Sequence, residues 1–215
     1  MTGLRMLPAG LELNAGPLRL ALRPELGAAM AGLWRNGLPV LHSAEPAALT
    51  TPRPSGGFVL APYSTRLGDR RCHWRGQHFT TALNTAGSHL QIDLSHRWDS
   101  DPITRLPSCR QPQPGIDADV AQLAFDHCVE GWRGAALIRD EALSMRLSAS
   151  VPFLVVFTPA DKPYFCVEPV SHVNNAIGMT DPAAHGLRDL AGGATLEASF
   201  LLEIAPARPL PAALT

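Results

Sequence analysis

Residues 143–157, LSMRLSASVPFLVVF, decide the fold class of this chain. Leu143, Met145 and Leu147 alternate with polar or charged residues, which is the pattern of a strand with one buried face. The run at 153–157 that follows is apolar at every position, and such a run is typical of a strand buried on both faces. Two successive strands of different burial indicate a chain built from sheets.

The same period of two recurs in three further stretches, 18–23, 90–95 and 196–204. Each alternates apolar with polar or short side chains, as half-buried strands do. Residues 11–14 are predicted to pair with the first of these stretches across a turn at Gly16. A hairpin is also predicted around Asn36-Gly37, because both residues tolerate positive φ, and another is predicted over residues 72–79.

The composition favours an all-β domain. The chain of 215 residues contains 18 Gly and 20 Pro, and its sequence shows no amphipathic helix of normal length. Many short strands separated by Gly and Pro turns predict a β-sandwich or barrel. With 46% hydrophobic and 17% charged residues, the chain is expected to bury a sizeable core. We predict a single domain over residues 1–215, with 102–115 as a long surface loop and 206–215 as a loose Pro-rich tail.

Several classes of function are disfavoured by what the sequence lacks. The formal net charge of -1 gives no electrostatic reason for a nucleic-acid or membrane partner, and no apolar run has the length of a transmembrane helix. The four cysteines form no CxxC pair and the start has no basic and apolar leader, so a cytoplasmic protein with free thiols is expected. The motifs of dinucleotide, nucleoside triphosphate and zinc-protease sites are absent.

Four segments carry the functional signal: GFVLAPYSTRL at 57–67, LAFDHC at 123–128, FCVEPVSH at 165–172 and LRDLAGGATL at 187–196. In this order they resemble segments of the aldose 1-epimerase (galactose mutarotase) family, and the resemblance extends over most of the chain. It implies the β-supersandwich fold of that family, in agreement with the strands predicted from periodicity. It also implies a monosaccharide ligand, an aldohexose or its phosphate, and no metal or organic cofactor.

By the same resemblance, Glu168 is the catalytic base, and Arg66, Asp126 and His172 bind the substrate. Such an enzyme interconverts the α and β anomers of a free sugar: the base takes the proton of the anomeric hydroxyl while an acid protonates the ring oxygen. The apolar neighbours of Glu168 are expected to raise its pKa towards a value useful for a base. A guanidinium at Arg66 suits paired hydroxyl groups.

One part of the family pattern is missing, which predicts a shortened version of the fold. The chain passes from Leu83 almost directly to His89, without the central block in which the family carries two histidines, one of them the general acid. Three interpretations stay open: this chain lacks a segment of the native protein, the protein is a natural short form, or the acid comes from His89, His96 or a partner chain. Lost core strands would leave unpaired edges, and a homodimer is one predicted way to cover them.

Three functions are compatible with these residues. The first is an isomerase that interconverts sugar anomers with Glu168 as its base. The second is a non-catalytic carbohydrate-binding protein, which the missing acid favours. The third is an epimerase-like protein that acts on hexose 6-phosphates, for which Arg70 and Arg71 would supply the charge that a phosphate needs.

Overall fold

The computed structural model shows an all-β chain, as predicted. It describes residues 2–52, 55–57, 82–83, 88–160 and 165–207, with the backbone alone for 2, 82 and 83. These residues form sixteen strands in three antiparallel sheets, joined by turns and by 3-10 segments of three residues. No helix in the described ranges is long and apolar enough to cross a membrane.

The strands are numbered in chain order and group into three sheets. The first sheet contains, in spatial order, β1 (Thr2–Leu7), β2 (Gly10–Ala15), β3 (Leu18–Arg23), β4 (Ala29–Arg35) and β5 (Leu38–Pro39). The second sheet contains β10 (Ile116–Asp119), β7 (His89–Ile92), β12 (Ala135–Arg139), β13 (Leu143–Ala149) and β16 (Phe200–Pro206). The third sheet contains β6 (Ala82–Leu83), β15 (Phe165–Val170), β14 (Phe153–Phe157), β11 (Asp126–Glu130), β8 (His96–Ser100) and β9 (Pro107–Pro112).

The main core joins the second and third sheets. Leu90 and Ile138 of the second sheet and Leu154 and Val167 of the third are fully buried members of one apolar cluster. Removing a side chain of this size from water stabilises a fold by about 1.5–3 kcal/mol. The first sheet contributes Leu33 to the same cluster, so all three sheets share one core.

Strand β14 is buried on both faces, which confirms the prediction from its unbroken apolar run. Leu154 and Val156 belong to the main core, whereas Phe153 and Val155 belong to a second apolar cluster on the other face of the third sheet. Successive side chains of a strand point to opposite faces, so this face is also the one from which the even-numbered residues of β15 project.

Two predicted hairpins are confirmed. Strands β2 and β3 pair across Gly16-Pro17, and strands β4 and β5 pair across Asn36-Gly37. Asn36 and Gly37 have φ values of 51° and 82°, the positive values that a two-residue type I′ turn needs. The hairpin predicted over residues 72–79 lies outside the described residues.

The long surface loop predicted over residues 102–115 is wrong. Strand β9 occupies the middle of this stretch and pairs with β8. Its bounds are Pro107 and Pro112, and proline normally argues against a strand because it cannot donate to the ladder. Since β9 is the edge strand of the described third sheet, it is a position at which proline is tolerated.

The C-terminal tail predicted from residue 206 begins too early. Pro206 is the last residue of β16 and pairs with Leu143 of β13. The strand starts at Phe200, so the alternation that begins at residue 196 is strand only in its second half. The rest of the predicted tail, 208–215, lies outside the described residues.

An ion-pair cluster joins β7 to the edge strand β10 on the outer face of the second sheet. His89 Nε2 lies 2.6 Å from Asp117 Oδ1, and His89 Nδ1 lies 3.0 Å from Asp119 Oδ1. Hydrogen bonds to Asp117 and then to Asp119 raise the pKa of His89 above its ordinary value. Arg139 lies opposite His89 on β12 and is exposed, so solvent screens its repulsion.

We expect His89→Gln to remove a pH-dependent part of the stability. A histidine whose folded pKa is raised stabilises the fold fully below its unfolded pKa of about 6.5, and this stabilisation is lost as the pH rises through the folded value. When the pH of a urea unfolding experiment rises from about 5.5 to 8.5, the free energy of unfolding of the native protein should fall by up to about 1 kcal/mol relative to that of the variant. The effect is small because the ion pairs lie on the surface. A constant difference between the two proteins across this range would contradict the prediction.

Candidate active site

Glu168, the predicted base, lies inside β15 with only 5% of its surface exposed. It is paired with Val155 of β14, and its neighbours along the strand are Val167 and Pro169. A glutamate buried to this extent is rare in proteins. The apolar ladder around Glu168 therefore marks it as the centre of a candidate site.

Asp126 projects from the same face of the third sheet as Glu168. Val155 is paired with Glu168 on one side and with Cys128 on the other, so these three side chains share a face. Asp126 lies two residues before Cys128 on β11 and therefore points the same way. From strand spacing and rise, the Cα atoms of Asp126 and Glu168 are roughly 12 Å apart.

Cys166 lies between the two carboxylates, and sequence reasoning assigned it no role. It is paired with Phe157, which is paired with Asp126 on its other side, and it lies two residues before Glu168. Burial raises the pKa of the Cys166 thiol, and the charge and hydrogen bond of Glu168 and the charge of Asp126 raise it further. Both carboxylates therefore act on one buried thiol that stays protonated at neutral pH. The sequence pattern that could have indicated Cys166 is its position two residues before Glu168, because residues two apart in a strand lie on the same face.

We expect alkylation of the native protein to distinguish its cysteines. Burial raises the pKa of Cys128 to about 12 and shifts Cys166 in the same direction, whereas Cys109 is exposed on β9. Because the thiolate is the reactive form, Cys109 should react with iodoacetamide at least about 100-fold faster than the two buried cysteines. Peptide mass spectrometry measures each site, and unfolding in urea should remove the difference. Equal rates in the folded protein would contradict the burial of Cys166 beside Glu168.

His172, the third predicted site residue in the described ranges, follows β15 and is 8% exposed. Its Nδ1 lies 2.8 Å from Ser171 Oγ, in a hydrogen bond whose donor depends on the imidazole tautomer. Burial lowers the pKa of His172, so the ring is neutral at neutral pH. A neutral imidazole held in this way can exchange a hydrogen bond with a ligand hydroxyl.

The turn at Gly186 packs directly on the segment that follows β15. Gly186 has a φ of +85°, and a Cβ atom there would lie 2.6 Å from the Ser171 carbonyl oxygen and 2.5 Å from Phe153 Cε2. The Val173 N–H donates to the His185 carbonyl at 3.0 Å, which ties the two segments together. Glycine is therefore needed at 186 for its positive φ and for the close approach.

The loop over residues 171–187 covers the apolar part of this sheet face. Val173 and Met179 pack in the second apolar cluster, whose buried members in the sheet are Cys128, Phe153, Val155 and Val170. His185 lies edge-to-face on Trp98, with 5.1 Å between the ring centroids. Asp126, Glu168 and Cys166 do not belong to this cluster. The polar part of the candidate site therefore lies beside an apolar part that the loop covers.

Two histidines considered as substitute acids lie far from Glu168. His89 is in the second sheet, where its ring pairs with the two aspartates of β10. His96 is on β8, three strands from β15 in the third sheet, so its Cα atom is roughly 16 Å from that of Glu168. Of the histidines considered from the sequence, only His172 lies in the segment that carries the base.

Three predicted binding residues fall outside the described part of the chain. Arg66 is one, and Arg70 and Arg71, which would meet a phosphate, belong to the same segment, 58–81. Their roles stay predictions. Within the ranges that the structure does describe, no group of three His, Cys, Asp or Glu residues is suited to hold a metal ion.

The junction at which the sequence predicts a missing block follows a strand that pairs with β15. Strand β6 ends at Leu83 and pairs with β15, with Ala82 opposite Cys166. The chain resumes at Ser88 and enters β7 of the second sheet. Residues 84–87 between them lie outside the described residues, so the loss of a block stays a prediction. The last described residues before this junction pair with the strand that carries Glu168.

A depression of about 660 Å³ lies elsewhere, on the second sheet, with Gln91, Asp117 and Arg146 in its lining. None of its lining residues is a predicted site residue. Its charged residues, Asp93, Asp117 and Arg146, lie on the surface, where ion pairs and solvent satisfy them. The buried carboxylate of Glu168 is the stronger mark of a functional site.

The described strands form an all-β chain of three antiparallel sheets, and Glu168 lies buried in one of them. No protein-family model and no curated protein matches the sequence. Solved structures do match. A putative aldose 1-epimerase from Escherichia coli K12 is 16% identical, with a TM-score of 0.73 over 96% of this chain and 100% of the other.

Two further solved structures show the same likeness. A galactose mutarotase-like protein from Clostridium acetobutylicum is 12% identical, with a TM-score of 0.70 over 96% of this chain and 99% of the other. A galactose 1-epimerase from Lactobacillus acidophilus NCFM is 9% identical, with a TM-score of 0.66 over 97% and 99%. At identities this low, the similarity shows a shared fold and no more. It confirms the predicted all-β, galactose mutarotase-like fold class.

Proposed function

We propose that the protein is an isomerase of the aldose 1-epimerase type, which interconverts the α and β anomers of a free aldohexose. The observation that carries the proposal is the 5% exposed carboxylate of Glu168 on the same sheet face as Asp126. The shared fold with aldose 1-epimerase structures supports it. Arg66, Asp126 and His172 are the proposed binding residues.

The reaction needs a base beside the anomeric carbon and polar groups that hold the ring. Glu168 takes the proton of the anomeric hydroxyl, and the bond between C1 and the ring oxygen breaks as a general acid protonates that oxygen. Rotation about the C1–C2 bond then presents the other face of the aldehyde, and reclosure reverses the proton transfers. Asp126 accepts hydrogen bonds from ring hydroxyls, and neutral His172 holds another hydroxyl, which keeps C1 at the base.

Polarimetry of freshly dissolved α-D-glucose and α-D-galactose tests this function. The approach to anomeric equilibrium should be faster than in buffer, with a rate that rises in proportion to the protein concentration. A heat-denatured sample is the matched control. No acceleration of either sugar at about 100 μM protein would overturn the proposal, because general acid–base catalysis contributes about 100-fold or more.

A non-catalytic carbohydrate-binding protein is the second candidate. The observation that favours it is the junction beside β15, where the family's acid-bearing block is not found in the sequence. This function predicts calorimetric sugar binding that Arg66→Ala weakens, without any acceleration of anomer exchange. A rate of exchange that depends on Glu168 would reject it.

A further inference from the structure

Strand β14 presents three alternate side chains on the sheet face that carries Glu168. They are Phe153, Val155 and Phe157, since residues two apart in a strand point the same way. Phe153 and Val155 are buried in the second apolar cluster, to which the loop over residues 171–187 contributes. Phe157 is only half-buried, and in the described part of the chain it belongs to no apolar cluster. The apolar packing on this face of β14 therefore stops before Phe157.

The pairing of β14 with its two neighbours places Phe157 among the candidate site residues. It is directly opposite Asp126 of β11 on one side and Cys166 of β15 on the other. Side chains directly opposite in an antiparallel pair have Cβ atoms about 4.5–5.5 Å apart. Glu168 is the diagonal neighbour of Phe157 on β15, about 7–8 Å away, a separation that an aromatic side chain still reaches. The register therefore gives a half-buried ring with one carboxylate beside it and the other diagonal to it.

An aldohexose has the two kinds of surface that such an arrangement can bind. Its hydroxyl groups project around the ring, and its C–H groups form apolar patches on the ring faces. The face of an aromatic side chain carries the negative part of its quadrupole and attracts the slightly positive C–H groups. Carboxylates beside that side chain can accept hydrogen bonds from the hydroxyls at the same time. Sites for small molecules are commonly built in this way, from aromatic surface and a few placed polar groups.

We propose that Phe157 is the residue on which the sugar ring stacks, with ring hydroxyls directed to Asp126 and the anomeric end directed to Glu168. The inference rests on the proposed function, because it takes an aldohexose as the ligand. It assigns a binding residue that neither the sequence pattern nor the resemblance singled out. The site would then recognise the C–H face of a sugar ring in addition to its hydroxyl groups.

Calorimetric titration of the full chain and of its Phe157→Leu variant with D-glucose and D-galactose tests the stacking. Leucine keeps an apolar side chain at this position but has no aromatic face, so the dissociation constant should rise by about tenfold. Phe157→Tyr is the matched control: it keeps the ring, and its dissociation constant should stay within about twofold of the native value. Urea unfolding checks that both variants are folded.

Proton NMR of the bound sugar tests the same contact in the native protein, without any substitution. Protons held over an aromatic face are shifted upfield by the ring current. The C–H protons of one face of the sugar should therefore move upfield on binding to the native protein and to Phe157→Tyr. The shift should be lost in Phe157→Leu when the sugar concentration is raised to restore binding.

The possible failures of the two proposals differ. Native affinity with an unaltered upfield shift in Phe157→Leu would overturn the stacking of the sugar on Phe157, and so would a native complex whose sugar protons show no upfield shift. Either result would leave anomer exchange by Glu168 standing. A native protein that binds neither sugar would overturn the proposed function together with the stacking.

Discussion

Glu168→Gln should lower the rate of anomer exchange by about 100-fold or more, which is the usual contribution of a positioned base. Glutamine has nearly the same shape as glutamate but cannot take the proton of the anomeric hydroxyl. Because the side chain keeps its place between Val167 and Pro169 in β15, sugar affinity measured by calorimetry should change little. Polarimetry under saturating sugar then measures the loss in the chemical step alone.

Glu130→Gln is the control for this experiment. Glu130 lies on the same face of the third sheet, two residues beyond Cys128, but it pairs with Arg110 at 2.6 Å rather than lying beside the proposed ligand. Its rate should stay within about twofold of the native rate. If Glu168→Gln exchanges anomers as fast as the native protein, Glu168 is not the base.

Gly186→Ala should destabilise the protein by about 2–4 kcal/mol and lower activity with it. The new Cβ atom would collide with the Ser171 carbonyl oxygen and with the ring of Phe153, while the positive φ adds its own strain. Relief of the collision has to move the turn away from the segment that carries His172. Urea unfolding measures the free energy, and polarimetry measures the effect on the site.

Gly193→Ala separates the two causes. Gly193 has the same φ of +85°, but a Cβ atom there would have no atom within 4 Å. This variant should lose only about 1 kcal/mol, the cost of a positive φ for alanine, and its activity should be native. Equal losses of stability in both variants would show that the contact of Gly186 with Ser171 contributes nothing.

Local patterns predicted those strands whose side chains alternate without interruption. The apolar composition of Phe153–Phe157 was enough to predict a strand buried on both faces. The tolerance of Asn36 and Gly37 for positive φ was enough to predict a hairpin turn. Strand β9 was missed because proline bounds it, and proline is acceptable there only because the strand lies at an edge. The position of a strand in its sheet is a long-range property.

The candidate site, like the strands, could be predicted only in part from the sequence. Glu168 and Asp126 were singled out by resemblance, but their common sheet face follows from the register of β15, β14 and β11. Cys166 was not singled out, because a thiol in a strand has no distinctive pattern until its neighbours are known. The sequence offered no way to choose between His89 and His96 as substitute acids. In the structure, His89 lies in another sheet and His96 lies three strands away from Glu168.

By itself, the sequence determined that this chain is all-β and that its strands alternate around Gly and Pro turns. These are properties of neighbouring residues, set by backbone sterics and by the period of two. Only the tertiary structure decided which carboxylates share a face and which thiols are buried. Such properties depend on strand pairing between residues far apart in the chain, which no local pattern specifies.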